Sequence, residues 1–266
     1  MRETVVLKVG GNEIDDEQFL DGLVEAIGAL REQAAPVLVH GGGKEIARLQ
    51  AALGLESRFV EGLRVTDEAS LAVVEMVLSG TVNKRLVARL VGRGIPAVGV
   101  SGVDGGLLRV RRLNHPAGDL GWVGEVTAAD PKLLRLLLGE GIVPVVSPIS
   151  LGPEGRSYNV NADHAARALA LALGAASLAF VTNVPGVLLD GKVVARLTAS
   201  EAQALIAQGT IAGGMVPKVR AALDVVAAGL GEVRIVDLEG LRVGGGTRLY
   251  ASQRPPALGD QPAAES

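Results

Sequence analysis

Two lysines, an aspartate and an arginine stand in settings where charge can act on a bound anion. Lys8 lies near the end of an apolar run, Val5-Val6-Leu7-Lys8-Val9, and is followed by Gly10-Gly11. Lys218 heads a helical stretch after Gly213-Gly214. A cation is unfavourable at a helix N-terminus, so Lys218 is tolerated best if an anion or Asp163 compensates it. Arg64, in Gly62-Leu63-Arg64-Val65-Thr66, offers a planar fork suited to a carboxylate. Asp163, in Asn159-Val160-Asn161-Ala162-Asp163, is most simply a dipole-compensating carboxylate with Asn161 as cap. Alternatively, Asn159 gives its amide to a substrate and Asp163 orients a lysine. Taken singly, Lys8 and Arg64 also read as ordinary surface cations.

The glycines give these residues a common purpose. Gly10-Gly11, Gly41-Gly42-Gly43 and Ser101-Gly102 each follow a short β-branched run. Ligands of open α/β sheets bind beyond the carboxyl ends of the strands, and glycine lets backbone N–H groups approach an anion closely. Other chemistries lack their parts. Cysteine is absent, and the 3 histidines (His40, His115 and His164) show no metal-binding spacing. The sequence contains no Walker A loop, no G-x-G-x-x-G fingerprint and no G-x-S-x-G elbow. Lysine, aspartate, arginine, asparagine and glycine backbone do electrostatic and positional catalysis, which is what phosphoryl transfer requires.

The elements that must position them alternate along the chain. Strands are expected at Thr4–Val9, Val37–Val39, Ala97–Val100, Val143–Ser147, Leu178–Thr182 and Val233–Val236. Helical spacing covers Phe19–Leu30, Lys44–Leu53, Asp67–Leu78 continuing past Gly80 towards Leu90, Pro131–Leu138, Ala162–Leu173, Ala199–Gln208 and Val216–Ala228. Thr66 is the expected N-cap of the third helix, and a hairpin is expected around Asn114–Gly118. The alternation predicts an α/β fold with a central, mostly parallel sheet and helices on both faces. The 266 residues are 48% hydrophobic but only 2% aromatic, so the core must be aliphatic. A formal net charge of −3 without a basic stripe argues against nucleic acid, and no apolar run is long enough to span a bilayer. A cytoplasmic protein is expected, with a mobile tail over 252–266.

From Val5 to about Ala228 the chain resembles the amino-acid kinase superfamily, and within it the branch that acts on N-acetylglutamate. The resemblance rests on L-K-V-G-G, V-H-G-G-G, E-G-L-R-V-T-D, V-N-K, S-G-V-D-G, G-E-V, Y-N-V-N-A-D, T-N-V-P-G-V and G-G-M-V-P-K-V in that order. It implies a three-layer αβα sandwich in two lobes, 1–172 for acetylglutamate and dimerisation and 173–251 for ATP. It also implies transfer of the ATP γ-phosphoryl group to the side-chain carboxylate of N-acetyl-L-glutamate, with Mg²⁺ bridging phosphate oxygens. Lys8 and Lys218 would stabilise the transferring group and Asp163 would organise both. Gly42 and Gly43, with Gly10 and Gly11, would present backbone N–H groups; Arg64 and Asn159 would hold the substrate. Asn183, Val184, Pro185, Gly186, Val187 and Leu188, with Thr210, Ile211 and Ala212, would line the nucleotide pocket. No protein metal ligand is implied.

Departures from the family pattern are Asn183 for a common aspartate, Val103 for a frequent lysine, and a short Val233–Thr247 segment without the usual apolar helix. The chain also starts at its first strand, without the N-terminal helix of arginine-inhibited hexamers. A homodimer insensitive to arginine is therefore expected. The nearest alternative is the related kinase for carrier-linked 2-aminoadipate in lysine biosynthesis, whose approach to the substrate arginine differs from the compact E-G-L-R-V-T-D. A non-catalytic amino-acid or nucleotide sensor would not need both lysines and the aspartate.

Overall fold

The structure, a computed structural model, describes residues 2–11 and 13–251; the expected tail at 252–266 lies outside the described residues. The first half runs β1 (Glu3–Val9), α1 (Glu17–Leu30), β2 (Ala34–His40), α2 (Gly43–Ala52), and a small hairpin of β3 (Phe59–Val60) and β4 (Leu63–Arg64). Then come α3 (Glu68–Glu75), a π-helical stretch (Met76–Val82), α4 (Asn83–Gly92), β5 (Ala97–Gly102), β6 (Leu108–Arg112), β7 (Gly124–Ala129), α5 (Lys132–Gly139) and β8 (Val143–Leu151). The second half runs β9 (Ser157–Asn159), α6 (Ala162–Leu173), β10 (Ser177–Val181), β11 (Leu188–Leu189), β12 (Lys192–Val193) and β13 (Arg196–Thr198). It closes with α7 (Ala199–Ala207), α8 (Met215–Ala227), β14 (Val233–Val236), α9 (Leu238–Val243) and β15 (Thr247–Tyr250).

An 11-stranded sheet is the middle layer, in the order β13-β15-β14-β10-β1-β2-β8-β6-β7, with β5 and β9 also paired to β8. Its centre is parallel; β15, β7 and β9 supply antiparallel pairings. The central strands bury both faces, which explains their nearly unbroken aliphatic runs. Val6, Val39 and Phe180 face α6 and α8, whereas Leu7, Leu38 and Ala179 face α1 and the α3–α4 segment. The two apolar layers and their covering helices make the expected αβα sandwich. Among the described residues no helix is long and apolar enough to cross a membrane.

Several boundaries differ from expectation for local reasons. Asp67, not Thr66, caps α3 by accepting from the Ser70 amide, while the buried Thr66 hydroxyl donates to the Arg64 carbonyl. The apolar helix expected to be missing between Val233 and Thr247 has a short counterpart in α9. Asp237 caps it by accepting from the Gly240 amide, and Gly244 ends it at φ 77°. The helical run across Gly80 does continue, but through the π-helical stretch rather than a regular helix.

Candidate active site

Register fixes which loops meet. Val9 of β1 pairs with His40 of β2 on one side and Val181 of β10 on the other. Gly10-Gly11, Gly41-Gly42-Gly43 and Thr182-Asn183 therefore leave the sheet side by side. The approach of the first two is tight: a Cβ on Gly11 would collide with the Gly43 amide nitrogen and lie 2.8 Å from that of Gly42. Gly42 faces the π-helical stretch, where a Cβ would stand 2.9 Å from Leu78. The third glycine turn serves differently. Gly102 ends β5, beyond β8, and packs on Ser150, while Ser101 is tied to Asp104.

Lys8 is in register with Val39 and Phe180, so it projects to the face that α6 covers. Asn161 caps α6 by accepting from the Asp163 amide at 2.8 Å, which sets Asp163 in the first turn. There its carboxylate lies 2.7 Å from the Lys8 ammonium. The two readings of Asp163 are compatible: it stands in the first turn of α6, where a carboxylate complements the helix N-terminus, and it pairs with Lys8. Lys218, in the first turn of α8, instead donates to the Thr182 hydroxyl. Asp163 thus contacts Lys8 rather than both lysines. Burial and the nearby Lys8 charge lower the Lys218 pKa, opposed by Glu13.

Lys8, Lys218, Asp163, Gly10, Gly11 and Gly43 line a cleft of about 350 Å³. Beside it, and sharing Gly43 as a wall, is a cavity of about 130 Å³ bordered by Gly42, Arg64, Asn159 and Asn161. Arg64 is buried and held in place: its guanidinium donates to Gln50 Oε1 at 2.5 Å, Ser57 Oγ at 2.8 Å and the Gly43 carbonyl at 3.0 Å. It also stacks on Phe59, 4.5 Å from the ring centroid. Asn159 donates to the Thr66 hydroxyl at 3.0 Å. His40, buried beneath the glycines, bonds the Gly41 carbonyl through Nδ1 at 3.0 Å and meets the Asn83 amide nitrogen through Nε2 at 3.2 Å. An Asn amide nitrogen only donates, so the His40 proton is on Nδ1. Burial pushes the His40 pKa down to about 4, and the ring is neutral near pH 7.

The segment expected to hold nucleotide divides. Asn183 and Pro185 are exposed beside the cleft. Val187 is in the core and its amide donates to the Thr247 hydroxyl at 2.8 Å; Gly186 abuts Thr247, and Leu188 pairs in β11. Val184 is partly buried; Thr210 and Ala212 are exposed, flanking Ile211 in the core. Sequence reasoning passed over Gln50, Ser57, Glu13 and Thr182. Gln50 carried a signal, because it sits four residues after Ile46 on the buried face of α2. A lone glutamine on an apolar stripe needs a polar partner.

A glycine-lined cleft between two lysines, on a sheet of this order, defines a phosphate-handling enzyme. The model of the Amino acid kinase family matches residues 3–237, and the chain belongs to that family. Within it, the chain is 55% identical over 254 residues to an acetylglutamate kinase of Roseiflexus sp. (strain RS-1), covering 96% of each chain. It is 56% identical over 238 residues to the acetylglutamate kinase of Roseiflexus castenholzii, covering 90% of this chain and 91% of that one. Among solved structures, it resembles N-acetylglutamate synthase from Neisseria gonorrhoeae complexed with coenzyme A and N-acetyl-glutamate. That match has a TM-score of 0.80 and 28% identity, covering 96% of this chain and 61% of the synthase.

Proposed function

We propose that this protein phosphorylates the γ-carboxylate of N-acetyl-L-glutamate with ATP, giving N-acetyl-L-glutamyl 5-phosphate and ADP, the second step of arginine biosynthesis. The observation that carries the reading is the pair of adjoining cavities with Gly43 as their common wall. One is built for a carboxylate-bearing amino acid, the other for phosphates. Arg64 and Asn159 hold the substrate in the smaller cavity, with its side chain directed past Gly42 and Gly43 towards the cleft. A γ-carboxylate is ionised at neutral pH and is itself the nucleophile. Its oxygen forms a bond to the γ-phosphorus as the bond to the ADP oxygen breaks.

The chain's task is to align two anions against their repulsion. Lys8, oriented by Asp163, and Lys218, oriented by Thr182, place positive charge on both sides of the transferring group. The amides of Gly11, Gly42 and Gly43 offer neutral donors that need no reorganisation during the reaction. The nucleotide lies along Asn183–Leu188 and Thr210–Ala212, on the Lys218 side. Among the described residues no group of three acidic, histidine or cysteine side chains could cage a metal. Mg²⁺ would enter the cleft with the ATP phosphates, where Glu13 and Asp163 on the walls would hold its water shell and the ion would supply charge neutralisation.

On this reading residues 1–172 form the acetylglutamate lobe and 173–251 the ATP lobe, with Lys8 and Asp163 at their junction. A homodimer is supported by exposed apolar residues along the α3–α4 segment, Met76 at 55% and Val91 at 52%, flanked by Ala72 and Ala88. This reading takes the reaction to run in the cytoplasm.

Hydroxylamine trapping of the acyl phosphate tests the reaction, with ATP, Mg²⁺ and either N-acetylglutamate, glutamate or carrier-linked 2-aminoadipate. Turnover with N-acetylglutamate alone is expected. Turnover with only the carrier-linked substrate would move the enzyme to lysine biosynthesis, and turnover with none would leave a sensor.

A further inference from the structure

The opposite edge of the sheet, at the N-terminal ends of β1, β2 and β8, contains a cavity of about 410 Å³. Its floor is apolar, formed by residues such as Pro36, Leu138 and Leu173, and three arginines, Arg2, Arg31 and Arg135, border it. Each guanidinium has one bond to the end of a helix. Arg2 donates to the Arg31 carbonyl at the close of α1, Arg31 to the Gly141 carbonyl just past α5 at 2.9 Å, and Arg135 to the Ala172 carbonyl in the last turn of α6 at 3.2 Å. Capping is thus one role of these side chains, but it does not exhaust them. A guanidinium has five N–H donors, and each of these spends one on the helix ends.

The charges do not balance either. A helix C-terminus carries roughly half a negative charge, so three of them offset about half of three full cations. Among the described residues no carboxylate forms an ion pair with any of the three, although Asp130, itself paired with Lys132, acts on Arg135 from a longer range. An apolar floor rimmed by under-compensated arginines matches one kind of ligand.

We propose that this cavity is a second binding site, separate from the catalytic cleft, for an amphipathic organic monoanion whose carboxylate meets the arginines and whose hydrocarbon part fills the apolar floor. Guanidinium is the side chain best shaped for a carboxylate, and the floor selects against small hydrophilic anions.

The test is calorimetric titration of the full chain with sodium octanoate, with 1-octanol as the neutral counterpart. Saturating N-acetylglutamate and ADP are present so that the cleft is occupied. Octanoate should bind at one site, with octanol at least about tenfold weaker, and Arg135→Ala should weaken octanoate about five- to tenfold with an unchanged circular dichroism spectrum. Arg135→Gln, which keeps a polar side chain but removes the charge, should weaken it similarly. Absence of binding at millimolar octanoate, equal binding of octanol, or full affinity in both variants would each overturn the site. Loss of binding whenever N-acetylglutamate and ADP are present would place the ligand in the catalytic cleft instead.

Discussion

The cavity proposed for the substrate and the cleft proposed for phosphates share a wall but are built differently. Around Arg64, side chains and backbone converge: Gln50, Ser57, the Gly43 carbonyl and the Phe59 ring all hold one guanidinium in place. In the cleft, Lys8 has Asp163 and Lys218 has Thr182, and the residues flanking the nucleotide side are largely exposed. One region is preorganised for a ligand of fixed shape. The other leaves its cations half-free, so that phosphate oxygens can replace or share their partners. Rigidity here is spent on position, and looseness on charge that must follow a moving group.

That contrast can be broken most forcefully at Lys8. Lys8→Ala should lower kcat about 10²- to 10³-fold, the range for loss of one transition-state donor, with the KM for N-acetylglutamate changed only a few-fold. A purely KM effect in steady-state trapping assays would erase the division between the two regions.

The next largest effect concerns stability beneath the glycines. His40 is neutral in the folded state with a pKa of about 4, against 6.5 for an unperturbed ring. The unfolded chain takes up its proton first, so stability should fall as pH drops from about 6.5 to about 4. The loss is about 3 kcal/mol in all. Urea unfolding of wild type and His40→Gln across that range checks it; the variant should show a flatter pH dependence, and parallel curves would refute the assignment.

Arg64→Lys comes third. A lysine cannot reproduce the fork, so the KM for N-acetylglutamate should rise about 10- to 100-fold while the KM for ATP stays within a factor of about two. Equal rises in both would mean that the substrate cavity is not a separate preformed unit. Smallest is Asn183→Asp, at an exposed position on the looser side: a shift of no more than about threefold in the KM for ATP, measured at fixed Mg²⁺. A loss larger than that of Arg64→Lys would invert the comparison.

Much of this was legible in the chain because strand ends announce themselves. Aliphatic runs ending in glycine located the β1 and β2 loops, and the helix starts at Gly43, Ala162 and Met215 fell within a residue or two of the expected positions. What stayed hidden depended on lateral order. The sequence offers three similar glycine turns, but only strand pairing places Thr182-Asn183, rather than Ser101-Gly102, beside the first two. The Lys8–Asp163 pair was proposable; the Lys218–Thr182 pair was not, because a threonine just past a buried strand has no distinguishing spacing. Short strands such as β9, β11 and β12 have only two or three residues each, too few for an alternating pattern to mark them.

The π-helical stretch Met76–Val82 bears on how the chain tolerates insertion and loss. It joins α3, whose buried side includes Val73 and Val74, to α4, which aims Asn83 at His40 and at the Val145 carbonyl. A wider turn holds one residue more than a regular helix would use, and each residue corresponds to about 100° of rotation. Deleting Gly80 would let the segment close into a continuous α-helix with every backbone bond intact. Because the wider turn absorbs that extra residue, α4 would keep nearly its present phase, with Asn83 still aimed at His40. Forcing all of the present residues into a regular helix would instead turn α4 by about 100° and carry Asn83 away from His40, as a gear loses its phase when one tooth is skipped.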